Sequence, residues 1–189
     1  MTDTAQRSTR LADAAIETLA ESGMRGLTHR AVDRMAALPE GSCSNRFRTR
    51  RALLDATVQR LAELDAADVT STVLDSADLD GVASVLAEVS HRWLTRDRTR
   101  MIARYELALE ATRRPEIREA LNAGGARFRA MATALYERLG VSDPATRAQA
   151  FVGCFDGLIF DHVAGAGARE PDIDHLRETF RGLLRGFAA

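Results

Sequence analysis

The 189-residue chain reads as an all-α protein, and three features of it predict that class. Ala and Leu are abundant while runs of β-branched residues are almost absent. Apolar residues recur at three- and four-residue spacing along most segments, and Pro and Gly fall largely between those segments. The length allows one large or two small domains with a sizeable core. No apolar run approaches the length of a membrane span, and Met1 leads into TDTAQRSTR rather than a signal sequence, so the expected location is cytoplasmic.

Residues 1–7 read as a polar arm. A helix follows to about Ser22, with Leu11, Ala15, Ile16, Leu19 and Ala20 as its inner face and Gly23 as its stop. Arg7 and Arg10 either touch phosphates beside a nucleic-acid-reading helix or are ordinary solvated charges, and both readings stay open.

The stretch from Leu27 to Leu54 carries the most specific signal. Thr28 suits an N-cap, and Val32, Met35 and Ala36 give a short buried face. Pro39 ends that helix and suits the entry to another, so a second helix is expected from Pro39 or Glu40. Cys43 and Phe47, four apart, point inward. Glu40, Gly41, Ser42, Ser44, Asn45 and Arg46 are left on an outer face. Small and hydrogen-bonding side chains can enter the major groove and pair with base edges. Arg48, Arg50 and Arg51 follow, placed to neutralise phosphates. This is the logic of a helix-turn-helix, in which the second helix reads bases and its flanks hold the backbone.

Beyond it, a helix over about 50–69 carries Leu53, Leu54, Val58, Leu61 and Leu64. Thr70 to Asp80 is polar and turn-rich and reads as a connection between domains. Five more helices are expected over about 79–96, 98–112, 115–139, 144–164 and 172–188, punctuated by Pro115, by Gly140 before Pro144, and by the Gly165–Asp172 stretch. Gly124 and Gly125 interrupt the third of these and suggest a kink, a close approach or a weak point.

Charge is distributed unevenly. The whole chain nets −1, but residues 1–60 hold ten Arg against seven acids, a net of +3. The basic excess therefore sits on the proposed reading segment. Every basic residue is Arg, better than Lys as a fork for phosphate and guanine, although the bias runs through the whole chain and a GC-rich coding sequence explains it as well. Cys43 and Cys154 have no partner spacing and read as small buried hydrophobes. His29, His91, His162 and His175 are scattered, so no metal site is expected.

Two C-terminal helices present wide apolar faces. Phe151, Phe155, Leu158, Ile159 and His162 form one, with Gly157 allowing a close neighbour; Leu176, Phe180, Leu183, Leu184 and Phe187 form the other. These faces belong either to the core of one subunit or to a contact with a second copy.

The first third of the chain resembles the tetracycline-repressor-type (TetR-type) transcriptional regulators. Their pattern appears here in order: LADAAIETLAESG, Leu27-Thr28, AVDRMAALP, Gly41-Ser42, Phe47, Arg50 and Ala52-Leu53-Leu54. Ser44 stands where the family commonly has Tyr, and Arg46 where it often has His, so the backbone contact passes to Asn45, Arg46 or Arg48. Met35 and Ala37 replace small residues, Ala37 a turn Gly.

The resemblance implies a DNA-binding domain over 1–50 and a helical effector-binding and dimerisation domain over 51–189. It implies DNA contacts by Arg7, Arg10, Thr28, Gly41, Ser42, Ser44, Asn45, Arg46, Arg48 and Arg50. A two-fold four-helix interface would use Phe151, Leu158, Ile159, His162, Leu176, Phe180, Leu183, Leu184 and Phe187. The middle helices would enclose a small-molecule pocket. Trp93, Met101, Tyr105, Phe128, Met131 and Phe155 are its bulky candidates, and His91, Arg104 and Asp156 its polar ones, though such residues are core more often than pocket.

The expected function is that of a homodimeric regulator, a repressor released from a palindromic operator by a small organic effector. No nucleophile with a base, carboxylate pair or metal cluster stands out, so neither catalysis nor a cofactor is expected. A helical small-molecule-binding protein or enzyme without a DNA-binding role, and a helical protein adaptor, are the alternatives.

Overall fold

The computed structural model describes residues 3–68, 78–166 and 170–188. Among these residues there are nine α-helices and no strand. They are α1 (Asp3–Gly26), α2 (His29–Met35), α3 (Ser42–Arg46), α4 (Arg50–Asp68), α5 (Leu79–Leu94), α6 (Arg98–Glu110), α7 (Pro115–Arg138), α8 (Pro144–Ala164) and α9 (Ile173–Ala188). The expected connection over Thr70–Asp80 lies mostly outside the described residues.

Helices α4 to α9 begin and end within two residues of the expected bounds. Three expectations nearer the N-terminus and centre change. Residues 3–7 are helical rather than an arm, so α1 starts at Asp3 and is broken at Gly23, whose φ of 62° is left-handed. α3 starts at Ser42, not at Pro39 or Glu40. α7 runs unbroken through Gly124 and Gly125, because the flanking turns of good helix formers outweigh the cost of the two glycines.

Three helix entries are capped by side chains. Thr28 accepts from the Ala31 amide at the start of α2 (3.2 Å), Thr49 from Ala52 at the start of α4 (3.1 Å), and Asp78 from Gly81 at the start of α5 (2.8 Å). Each satisfies a donor that the first turn cannot pair for itself.

The chain divides into two compact units, residues 1–65 with 99–122 and residues 66–98 with 123–189. In the first, Leu11, Leu19, Leu27, Val32, Cys43 and Leu53 are completely buried with Ala103 and Leu107 of α6, so the helix-turn-helix shares its core with a helix far along the sequence. In the second, α5 packs along α9, and Val82, Ala83, Ala87, Tyr136, Phe180 and Leu184 are fully buried. Each large apolar side chain removed from water in this way contributes roughly 1.5–3 kcal/mol.

Candidate DNA-reading surface and ligand-binding body

The turn between α2 and α3 is held by Asp33, a residue that the sequence did not single out. Asp33 is 1% exposed, and its two carboxylate oxygens accept from the Gly41 amide (2.8 Å) and the Cys43 amide (2.7 Å). Gly41 precedes α3 with φ of 88° and has no side chain to cap it. Asp33, reaching from the preceding helix, does that work instead. The only sequence signal was an acid standing beside Val32 on an otherwise apolar face. Cys43, behind the turn, has its thiol pushed up to about 11 by burial and by the neighbouring Asp33 charge, so it is a protonated core residue and not a nucleophile.

In front of this scaffold, Ser44, Asn45, Arg46 and Arg48 are exposed, and Gly41 and Ser42 are half-buried. Ser42 and Ser44 donate to the carbonyls of Pro39 (2.7 Å) and Gly41 (3.0 Å). Arg7 and Arg10 are exposed on α1, and Arg7 Nη2 donates to Ser42 Oγ (3.2 Å). Thr28 is exposed beside its cap. The predicted reading residues are therefore gathered in one unit and face water.

Arg50 is employed differently from the expectation. Its guanidinium donates to the carbonyls of Met24 and Leu27, tying the start of α4 to the end of α1. Both carbonyls lie just past the left-handed break at Gly23. His29, unassigned at the level of sequence, bonds through Nε2 to the Phe47 carbonyl (2.7 Å) and fixes the far end of α3.

In the second unit, Trp93 is 2% exposed and stands edge-on to Phe128 (centroids 6.3 Å apart) and to Phe155 (6.0 Å). Phe155 in turn stacks on Phe180 at 5.2 Å. Trp93 Nε1 donates to Asp68 on the last turn of α4 (2.8 Å). Tyr136 is fully buried and edge-on to Phe151, and burial pushes its phenol up to about 12. The Tyr136 hydroxyl and Ser90 Oγ are buried without a hydrogen-bond partner.

The other pocket candidates scatter. His91 lines a separate cleft of about 360 Å³ with Asp68, Glu88, Arg92 and Arg96. Met131 is half-buried and Asp156 exposed. Met101, Arg104 and Tyr105 belong to the first unit, where Met101 is fully buried and Arg104 pairs with Asp65 (2.6 Å).

The proposed interface residues divide as well. Phe151, Ile159, Leu176, Phe180 and Leu184 are each 5% exposed or less within the single chain, so they are core residues. Leu158, His162, Leu183 and Phe187 are half-buried. The outward side of α8 carries Gly153, Gly157 and Phe160, and that of α9 carries Gly182 and Gly186. A Cβ added at any of these four glycines would meet nothing within 4 Å. Cys154 is exposed on the same side of α8, not buried as expected, because α8 has apolar or small residues all round and the sequence could not tell which side the chain covers.

Among the described residues, no helix is long and apolar enough to cross a membrane, and no group of three or more His, Cys, Asp and Glu gathers as a metal site.

The described residues thus combine a helix-turn-helix whose second helix is exposed, arginine-flanked and held on a braced turn with a second helical unit that holds a cluster of aromatic rings. A family model described as the tetracyclin repressor-like C-terminal domain matches residues 77–186. The chain is 31% identical to the multidrug binding protein EbrR crystallised with imidazole, over 94% of each chain, with a TM-score of 0.69. The ethidium complex of EbrR also matches at 31% identity, covering 94% of this chain and 98% of that one, with a TM-score of 0.70. A TetR-family member from Streptomyces coelicolor A3 is 29% identical, covering 96% and 98% of the two chains, with a TM-score of 0.75. A search of curated proteins finds no match. The chain belongs to the TetR family of transcriptional regulators.

Proposed function

We propose that the chain is a cytoplasmic, non-enzymatic homodimeric repressor that reads a palindromic operator through α3 and leaves it when an aromatic organic effector binds the body. The observation that carries this reading is the exposed Ser44, Asn45, Arg46 and Arg48 row held by the Asp33 brace. Such a row supplies base-edge donors and acceptors together with phosphate-neutralising charge. Functionally, residues 1–50 form the reading domain, and residues 51–189 bind effector and partner.

The outward glycines of α8 and α9 support dimerisation, because two helices without side chains at those points can approach a second copy closely. A two-fold pair places the two reading helices about 34–36 Å apart, one turn of DNA. The Trp93, Phe128, Phe155 and Phe180 rings support an aromatic effector, as do the EbrR complexes with ethidium and proflavin. Release requires the effector to prefer one body conformation over the other.

Selection of bound duplexes from a random pool at controlled salt tests the reading. A palindrome with half-sites one turn apart, bound with a steep salt dependence, is the expected result. Recovery of a pool no different from the input would reject it.

A further inference from the structure

The start of α1 and the reading helix are joined by two hydroxyl relays that run in opposite directions. Arg7 on α1 donates through Nη2 to Ser42 Oγ on α3 (3.2 Å), and Ser42 donates onward to the Pro39 carbonyl (2.7 Å). Arg46 on α3 donates through Nε to Ser8 Oγ on α1, and Ser8 donates onward to the Thr4 carbonyl (2.9 Å). A serine hydroxyl has one hydrogen and two lone pairs. With its hydrogen committed to a carbonyl, each hydroxyl presents only lone pairs and is set to receive a guanidinium N–H. Arg46 is held a second time, since its guanidinium carbon stands 5.6 Å from the centroid of the Phe47 ring.

We propose that Ser8 is a positioning residue for operator reading: by holding Arg46 at Nε it leaves the Nη1 and Nη2 fork free to bind guanine O6 and N7 end-on. The inference rests on the proposed DNA-binding role. Its chemistry is specific, because a guanidinium anchored at Nε keeps its two terminal nitrogens pointing away from the anchor. The side-on pairing, which uses Nε and one Nη, is closed to it. Bidentate Arg to guanine O6 and N7 is the commonest specific base contact, and the free Nη fork suits it. One guanine per half-site is thus specified by a residue on a different helix, 38 positions away in the sequence.

Ser8 needs no contact with DNA to do this. Holding a long side chain in its reading geometry before binding removes part of the ordering cost at the moment of association. Ser8→Ala is tolerable for α1, since Ala is the better helix former. Ser8→Thr keeps the relay, because a helical Thr hydroxyl makes the same backbonding to the carbonyl four residues earlier, as Thr9 does with Ala5 here.

The test uses the full-length protein and the duplex selected by the wild type, with every base pair of one half-site substituted in turn at fixed salt. Wild type is expected to require G at one position and to lose affinity there when guanine is replaced by 7-deazaguanine, which lacks the N7 acceptor. Ser8→Ala is expected to lose discrimination at that position alone, on the order of 10-fold, with its melting temperature and salt slope unchanged. Ser8→Thr is expected to keep it. Wild-type discrimination in Ser8→Ala, or an equal loss at every base pair and in random DNA, overturns the positioning role while operator binding stands. If wild type selects no duplex, the DNA-binding reading falls and this inference falls with it.

Discussion

Asp33→Ala separates the brace of the reading helix from the helix itself. The side chain is 1% exposed and accepts two backbone hydrogen bonds, at 2.8 and 2.7 Å. Hydrogen bonds to a charged group contribute about 1.5–3 kcal/mol each, and a buried donor left without a partner costs about 1–3 kcal/mol. The two amides differ. Cys43 is fully buried, so its amide loses its partner outright, whereas Gly41 is half-buried and water can replace the carboxylate. Against these losses stands the desolvation of an ionised carboxylate, which Ala no longer requires. The balance places the cost at about 2–3 kcal/mol, at or above the upper end for a lost helix cap, as two bonds to a buried carboxylate would give. For a chain of this length the melting temperature should fall by about 4–12 °C. Asp33→Asn, which retains one acceptor but turns an NH2 group toward an amide hydrogen, should recover less than half of that. Circular dichroism melts give the stability, and gel shifts on the selected operator give the function, which should weaken because α3 loses its fixed start. An Asp33→Ala protein that melts within about 1 °C of wild type and binds the operator equally well would refute the reasoning.

Three further outcomes follow from the same geometry. Arg50→Ala should lower the stability of the first unit by about 1–2 kcal/mol, because the Met24 and Leu27 carbonyls lose their donors; an unchanged melt with weaker binding to all duplexes would return Arg50 to a purely phosphate-contacting role. Above pH 9 stability should fall, since Cys43 and Tyr136 titrate at 9.0 and 10.0 when unperturbed but only at about 11 and about 12 when buried, so the unfolded chain releases its protons first; pH-dependent denaturant melts should show this slope reduced in Cys43→Ala and in Tyr136→Phe. Phe180→Ala should cost about 3–5 kcal/mol, the ring being fully buried in the single chain, whereas Gly157→Leu should leave the protomer folded and turn the proposed dimer into monomer in sedimentation velocity.

How much of this was legible in the sequence depended on how local the determining signal was. α4 to α9 were placed closely because their periodicity, Pro entries and Gly or Thr exits lie within the segments themselves. The start of α3 was misjudged because its brace comes from Asp33, eight residues before Gly41. Local pattern showed Pro39 as a helix entry and had no means of showing a left-handed Gly41 capped from another helix. Residues 3–7 read as an arm because their polarity fits solvent, yet the Arg7 guanidinium finds Ser42 on α3. The reading row Ser44, Asn45 and Arg46 was visible, because the inward Cys43 and Phe47 leave only that side for water. The two sides of α8 were not distinguishable, since both carry apolar or small residues. Only three-dimensional packing shows that Phe151 and Ile159 are covered while Gly153, Cys154 and Gly157 are not. Residue type and spacing place Trp93, Phe128 and Phe155 among the pocket candidates, and the three rings do meet, but Phe180, which stacks on Phe155, carries no local signal that separates core from a contact between subunits.

The capping of α3 by Asp33 has a consequence for how such a protein changes its target. Asn45 and Arg46 take no part in the Asp33 brace; Ser42 and Ser44 bond locally to Pro39 and Gly41, and Ser42 and Arg46 bond besides to Arg7 and Ser8 on α1. On the proposed reading, exchanging these letters for others alters what is recognised while the architecture beneath stays folded. If α3 reads DNA as proposed, a lineage acquires a new genomic address in a few substitutions, so long as the acid beside Val32 and the bare backbone at Gly41 remain.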